Sequence, residues 1–441
     1  MMLKKLYLGR SKMKLIFKFI LISIFIIGFS ESKATTLIKS LKSAYLNNSK
    51  LNAERASMRS SKEETKEAIS EFLPSITISG YKSSQDSFNS NLADVNIEPK
   101  ERSILIEQKI FQGFAGVANV EKKRKGQNLA EIKLKKVEQE ILLLAVKAHT
   151  ELLLNKDKVN FNSINVDLLE RQVETDQNRL ETGEISLIDL AQSESSLAGA
   201  RAELIAAKNN LITSNANFKK IVGIKLNGNN VERPGKNDLN LPKSLASAYK
   251  ISNSENPDLQ IAALEYEQSK LDLKIAASEL SPSATLSYER AEQDDISTTI
   301  NERTQETLKA TASWPLFAGG KNLFSYRKFQ ELKNKKELLL QDETKRIETE
   351  VANAWSNYQS SQSILVSIES QVKAAEIANE GITLEYESGT SRTTLEVIQS
   401  RSILLNSRIS LVNSKRNYLI SQFNLLSVVG RLTAKHLNLK S

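Results

Sequence analysis

Two stretches of this chain, about two hundred residues apart, carry the same seven-residue rhythm, and that duplication limits the fold more than any other feature. Leu190, Leu197, Leu204, Leu211 and Phe218 recur every seven residues, with Ser193, Ala200, Ala207, Ser214 and Ile221 three positions further on. A shift of 207 residues gives Val397, Leu404, Leu411, Tyr418 and Leu425, with Ser400, Ser407, Ser414, Ser421 and Val428 as companions. Both series end at a glycine, Gly223 and Gly430. A strict heptad with large residues at one seam position and small ones at the other specifies closely spaced helices in left-handed coiled-coil packing. Five heptads matched in two copies argue against one face of an ordinary amphipathic helix.

The rest of the unit is duplicated too. Leu73-Pro74-Ser75-Ile76-Thr77-Ile78-Ser79 has a partner in Ser281-Pro282-Ser283-Ala284-Thr285-Leu286-Ser287, and Ile110-Phe111-Gln112-Gly113 in Leu316-Phe317-Ala318-Gly319. Each copy therefore reads helix, strand, polar loop, strand, long helix, turn, helix. After Pro74 and Pro282 the residues alternate with the two-residue period of a strand: Ile76 and Ile78 against Thr77 and Ser79, Leu286 and Tyr288 against Ser287 and Glu289. The returning strands alternate likewise, Ile104 and Ile106 against Glu107 and Lys109, then Leu308, Ala310 and Ala312 against Lys309, Thr311 and Ser313. Each run is about ten residues, the length of a tilted transmembrane strand. Polar loops from Gln85 to Arg102 and from Ala291 to Glu306 suit the outer loops of a membrane barrel, and Phe111, Phe114, Trp314 and Phe317 suit an interfacial girdle at the other end. Two soluble hairpins packed on helices would show the same alternation. Four strands are too few to close a membrane barrel, so a membrane reading requires an oligomer.

Only 16 Gly and 7 Pro occur in 441 residues. Between Val117 and Thr182 there is no Pro and a single Gly, Gly126, so at ~1.5 Å per residue this limb extends roughly 100 Å. Lys321 to Ser388, interrupted by Gly381, is comparable. The return limbs are shorter, and a further helix over 36–72 or 243–281 can stack on each break and carry the column back to the strands. Residues 224–242 join the copies.

The N-terminus combines a basic stretch (Lys4, Lys5, Arg10, Lys12, Lys14, Lys18), an apolar run from Phe19 to Phe29 and the small-x-small site Ser32-Lys33-Ala34. This predicts a secretory signal over 1–34; the alternative, a membrane anchor, has about half the ~20 apolar residues that a span needs. The signal also explains the charge. The full chain carries +9, but residues 1–34 hold seven Lys/Arg and one Glu, leaving 54 basic against 51 acidic residues and a net charge of +3. No nucleic-acid partner is expected, and the run Lys122-Lys123-Arg124-Lys125 reads as a solvated or headgroup-proximal face.

Catalytic chemistry has little to stand on. Two His, His149 and His436, and no Cys leave no zinc set. Gly319-Gly320-Lys321 fails the spacing of a phosphate loop, because Pro315 occupies the first glycine position and Asn322 the hydroxyl position. No cofactor, metal or enzymatic activity is expected.

Three stretches resemble the TolC-like outer-membrane efflux proteins: Trp314-Pro315-Leu316-Phe317-Ala318-Gly319-Gly320, the turn from Arg179 through Gly183 to Leu190, and the turn from Tyr386 through Gly389 to Val397. The ending Asn417 to Leu426 is similar as well, and the likeness runs through essentially the whole chain after residue 34. The resemblance implies an α + β membrane protein, with a long α-helical coiled-coil barrel continuous with a 12-stranded antiparallel β-barrel. A trimer forms that barrel, each chain giving four strands from its two internal repeats. It implies the outer membrane of a Gram-negative bacterium, with outer-membrane lipid around the strands and a tunnel through the periplasm. The function implied is a passive exit duct for a tripartite efflux or type I secretion system. The partners implied are a periplasmic membrane-fusion adaptor and an inner-membrane transporter of RND, ABC or MFS type. Carried over by position, Asp189, Tyr386 and Arg392 are candidates for the links that close the periplasmic tip and Glu396 for an acidic ring, with Gly183 and Gly389 as tip turns. Gln399 stands where a second acid is expected, so the constriction should be less negative. The second turn is also one residue longer than the first, which bears on the equivalence of Arg392. Asp189 and Glu396 read equally well as helix N-terminal acids.

The resulting division is a first repeat over 35–223, with strands near 74–84 and 103–112 and a tip near 183–189; a linker over 224–242; a second repeat over 243–431, with strands near 282–291 and 306–316 and a tip near 389–396; and a tail over 432–441. A soluble periplasmic coiled-coil scaffold is the competing reading.

Overall fold

Scarcity of helix breakers allows two helices of exceptional length in the computed structural model, which describes residues 35–88, 95–224, 231–235, 239–297, 299–388 and 392–439. The expected signal over 1–34 and the tip glycine Gly389 lie outside the described residues. In the first repeat come α1 (Leu37–Asn47), α2 (Ser49–Ser70), β1 (Ser75–Lys82), a small ladder of β2 (Gln85–Ser87) with β3 (Val95–Ile97), β4 (Lys100–Gln112), α3 (Ala115–Glu181) and α4 (Leu187–Val222). The second holds α5 (Leu245–Glu255), α6 (Pro257–Ser278), β5 (Ser283–Ser297), β6 (Ile300–Ser313), α7 (Lys321–Glu387) and α8 (Thr394–Val428). Helices α3 and α7 are each 67 residues, roughly 100 Å long at ~1.5 Å per residue.

β1, β4, β5 and β6 form one antiparallel sheet in that order. Its register separates two faces. Ile76, Ile106, Tyr288 and Leu308 align in one row, while Thr77, Leu105, Glu289 and Thr307 align on the opposite face. The apolar row is left open to the surroundings, with Ile76 67%, Ile78 77% and Leu308 72% exposed. Within one chain β1 and β6 also keep an unpaired edge. The second hairpin corrects the expected loop: Ala291–Ser297 and Ile300–Glu306 continue the strands and pair with each other as far as Ser297 with Ile300. These residues are polar on both faces, so their strand carries no two-residue hydrophobic period, and cross-strand partners such as Arg290 and Glu306, 3.4 Å apart, support it instead.

Near the sheet the helices stack in the order α2, α3, α6, α7; further away the order is α4, α3, α8, α7. The small seam positions face this packing. Ser193, Ala200, Ala207 and Ser214 are buried in the first copy, and Ser400, Ser407, Ser414 and Ser421 in the second.

Single helices were expected over 36–72 and 243–281, but each is broken, at Asn48 and Asn256, whose backbones are extended. The break joins columns end to end. Asn48 Oδ1 accepts from the backbone of Lys50 (3.0 Å) and Leu51 (3.3 Å), capping α2, while its Nδ2 donates to Ile221 O at the end of α4 (3.1 Å). Asn256 does the same for α6 and α8, with Nδ2 2.7 Å from Val428 O, and Pro257 opens the helix behind it. One side chain thus satisfies orphan amides of one helix and an orphan carbonyl of another. The tail and linker are part of this equator: Leu432, Ala434, Leu439, Val231 and Leu239 enter a core with Leu142, Val146, Leu152, Phe218 and Phe423.

Candidate functional site: the hairpin tips

Each hairpin reverses at the end remote from the sheet, and the first tip is fixed by glycine chemistry. Gly183 sits at φ 74°, Glu184 N donates to Arg179 O (2.8 Å) and Gly183 N to Leu180 O (3.0 Å). This pair of bonds closes the end of α3 and needs a left-handed residue at Gly183. Ser186 then caps α4 through a reciprocal box. Ser186 Oγ accepts from Asp189 N (3.3 Å), and Asp189 Oδ2 accepts from Ser186 N (3.0 Å) and Ser186 Oγ (2.7 Å). Those bonds, the hydroxyl first, hold the half-buried Asp189 carboxyl below its ordinary range.

The second tip repeats the device with one addition. Thr393 Oγ1 accepts from Glu396 N (3.3 Å), and Glu396 Oε2 accepts from Thr393 N (2.8 Å) and Thr393 Oγ1 (3.2 Å). Arg392 adds a bridge, from Nη1 to Glu396 Oε1 (3.0 Å) and from Nε to Glu385 Oε2 (2.6 Å). Glu396 is therefore depressed first by the Thr393 amide and next by Arg392. Gln399 is exposed. Within one chain Asp189 and Arg392 thus stay in their own hairpins.

Tyr386 is the candidate that crosses between hairpins. Its hydroxyl lies 3.3 Å from Asp176 Oδ1, 3.0 Å from Thr394 Oγ1 and 3.4 Å from Gln172 Nε2. The Arg179 guanidinium covers its ring at 5.0 Å. Gln172, Asp176 and Arg179 stand at i, i+4 and i+7 on α3, one face of one helix. Asp176 is fully buried; it accepts from Gln172 Nε2 (2.9 Å) and, through Oδ2, from Ser193 Oγ (2.5 Å). Arg401 of α8 reaches Gln172 Oε1 at 3.2 Å, and burial lowers its pKa. Sequence reasoning passed over this set. Its signal was present, as three polar residues at helical spacing on one face of α3, but any solvated helix face carries such triplets.

Among the described residues no cluster of His, Cys, Asp and Glu is arranged to hold a metal, and no helix is long and apolar enough to cross a membrane. Polar contacts hold the two helical hairpins together near their tips.

Residues 40–224 and 248–431 match the family described as outer membrane efflux protein, one stretch for each repeat. The chain is 25% identical to the outer membrane efflux protein BepC of Brucella suis, over 92% of this chain and 87% of that one. It is 22% identical to the outer membrane protein TolC of Escherichia coli, over 95% of this chain and 87% of the relative. The Campylobacter jejuni CmeC outer membrane channel superposes with a TM-score of 0.80 at 14% identity, covering 90% of this chain and 86% of the channel.

Proposed function

This chain belongs to the outer membrane efflux protein family, and from that premise we propose that three copies form the exit duct of a tripartite efflux or type I secretion system. The duct stands in the outer membrane and extends into the periplasm of a Gram-negative bacterium. The observation that carries the reading is the two-faced sheet with open edges. An apolar row of Ile76, Ile106, Tyr288 and Leu308 suits lipid, the opposite face with Thr77, Glu289 and Thr307 suits a water-filled lumen, and unpaired edges are untenable in a bilayer unless other copies close them. Three four-stranded sheets make a twelve-stranded barrel. A soluble scaffold would leave the same apolar row in water.

The duct is passive and catalyses no reaction. Its long hairpins present their tips to a periplasmic membrane-fusion adaptor and an inner-membrane transporter of RND, ABC or MFS type. The tips form the gate. Tyr386 ties the hairpins of one chain, while Asp189, Arg392, Glu396 and Gln399 encircle the pore where three copies meet, a narrow ring of carboxylates that favours cations.

Purification and planar-bilayer recording test this together. The protein should require detergent, run as a trimer and give discrete conductance steps of low amplitude. Replacing Asp189 or Arg392 by Ala should enlarge those steps by loosening the ring. A monodisperse protein free of detergent, or a bilayer silent at every voltage and pH, would sink the duct.

A further inference from the structure

The apolar face of the sheet gives way to charge towards the outer rim, and the two hairpins carry opposite signs there. Beyond Ile76 and Ile106, the next rows on that face pair Ile78 with Ile104, Gly80 with Arg102 and Lys82 with Lys100. The second hairpin continues these rows with Arg290 and Glu306, Glu292 and Thr304, and Asp294 and Glu302. The outward rim of each chain is thus basic over β1 and β4 and mainly acidic over β5 and β6. Arg290 is held within its own half, by Glu292 at 3.0 Å and Glu306 at 3.4 Å.

In the basic half Lys82 meets Glu98 at 2.8 Å. Lys100 and Arg102 are exposed, and among the described residues neither side chain forms an ion pair or hydrogen bond, although Asp294 and Glu292 stand opposite them on β5. Like charges directly across a ladder, as Lys82 and Lys100 are, repel and favour a counter-ion. Gly80, opposite Arg102, puts no side chain beside the guanidinium. Height identifies the counter-ion. Trp314, at the periplasmic girdle, and Glu302, in the row of Lys100, are twelve residues apart. At ~3.3 Å per residue and a tilt of about 40°, that spans about 30 Å of the bilayer normal, the thickness of the hydrocarbon core. Lys100 and Arg102 therefore stand where the headgroups of the outer leaflet begin, on the face turned away from the lumen. Phosphate is the anion of that layer, and ammonium and guanidinium groups bind it through charge-assisted hydrogen bonds.

We propose that Lys100 and Arg102, with Lys82 beside them, bind the phosphate of a phosphorylated glycolipid of the outer leaflet, one site per chain on the outside of the barrel. The lipid's acyl chains then lie along the rows of Ile78 with Ile104 and Ile76 with Ile106. The site rests on the duct reading for the place of the sheet in the bilayer, though lipid binding can be measured apart from conduction.

Native mass spectrometry of the detergent-solubilised trimer, titrated with bis-phosphorylated lipid A, reads the site directly. Wild type should take up one lipid for each copy. The double variant Lys100→Ser/Arg102→Ser should bind about tenfold more weakly, the loss of the charge-assisted bonds, while remaining a trimer of unchanged conductance because both residues lie outside the lumen. Arg303 stands at the same height on the opposite face, in the row of Glu101 and Gln293, so Arg303→Ser should bind lipid as wild type does. Lipid A stripped of its phosphates, phosphatidylethanolamine and inorganic phosphate should each bind wild type about tenfold more weakly than lipid A. Equal binding by the double variant, an equal loss in Arg303→Ser, or equal affinity for any of the three comparison ligands would overturn the site. A trimer that conducts nothing yet shows this pattern of lipid binding would overturn the duct and leave the site standing. A conducting trimer whose double variant still holds the lipid would do the reverse.

Discussion

The two hairpins share a skeleton and differ in what lines it. Helices α3 and α7 have the same length, and both return helices open with a capping box, Ser186 with Asp189 and Thr393 with Glu396. The seams diverge. In the first hairpin the central small positions are Ala200 and Ala207; in the second all four small positions are serine, and three of them bond across to α7. Ser400 meets Asn379 at 2.9 Å, Ser407 meets Gln371 at 3.4 Å and Ser421 meets Ser361 at 2.7 Å. A neutral hydrogen bond contributes only about 1 kcal/mol net, so a hydroxyl seam registers two helices without adding the stability that alkyl packing gives. Duplication fixed the geometry, and divergence gave one hairpin the firmer seam and the buried acceptor, the other the softer seam and the phenol.

The largest expected contrast lies where each return helix ends. Gly430 has φ 87°, and a Cβ there would sit 2.1 Å from Glu255 O; Gly223 has φ 77°, with the nearest atom, Asn47 Cβ, at 3.3 Å. Both substitutions by Ala strain the backbone, but only at Gly430 must a neighbouring backbone move. Gly430→Ala should cost roughly 4 kcal/mol and Gly223→Ala roughly 1–2, seen as a large and a small fall in the melting temperature of the trimer. Equal falls would show that the two equatorial joints are alike.

Next in size is a pH effect confined to one repeat. His149 is fully buried, accepting from Ser40 Oγ at Nδ1 (2.9 Å) and donating from Nε2 to Glu232 O (3.0 Å), whereas the corresponding residue in α7 is Trp355. Burial depresses the imidazole from 6.5 to about 4. The folded chain keeps it neutral while the unfolded chain takes up a proton, so this stability is present above pH 6.5 and is lost as pH falls towards 4. The loss is on the order of 3 kcal/mol, and hydrogen exchange should show α1 and the middle of α3 opening before α5 and the middle of α7. His149→Asn should abolish the slope in this window; an unchanged slope would assign it elsewhere.

The fold was legible because its determinants are periodic. Heptads, alternating strands and the 207-residue repeat each survive as patterns, and the first tip glycine announces its own turn. What escaped was set by tertiary contact. The polar hairpin from Ala291 to Glu306 is held by partners on the neighbouring strand, and Asn48 and Asn256 break helices because each has a second helix end to cap. At the tip Tyr386 was visible through the resemblance, but Asp176 was not. Nothing local distinguishes a buried aspartate on a long charged helix from the solvated ones around it.

A reciprocal swap of the seams sharpens the comparison at about 1 kcal/mol. Ala207 and Ser414 are the same position in the two copies, both buried, and the Ser414 hydroxyl finds no partner. Ser414→Ala should stabilise the second hairpin by about 1 kcal/mol, removing an unsatisfied buried group and gaining helix propensity, while Ala207→Ser should destabilise the first by a similar amount. Local exchange in α8 and α4 would report the two changes separately. Serine tolerated at 207 without loss would mean that the seams are interchangeable.

The smallest contrast is at the capping acids. Both carboxylates lie below their ordinary range, Asp189 through Ser186 alone and Glu396 through the Thr393 amide and then Arg392. A depressed carboxylate stabilises its helix start above the ordinary carboxylate range, and that contribution is lost as pH falls through the folded value. On acidification the first turns of α4 and α8 should both fray. Because Arg392 acts only on the second, Arg392→Ala should move the midpoint of fraying in α8 to higher pH and leave α4 where it was, with exchange at Glu396 and Asp189 amides as the two readouts. A shift in both would mean that Arg392 reaches the first tip, across the interface between copies, and that the ring around the pore couples the caps that the single chain keeps apart.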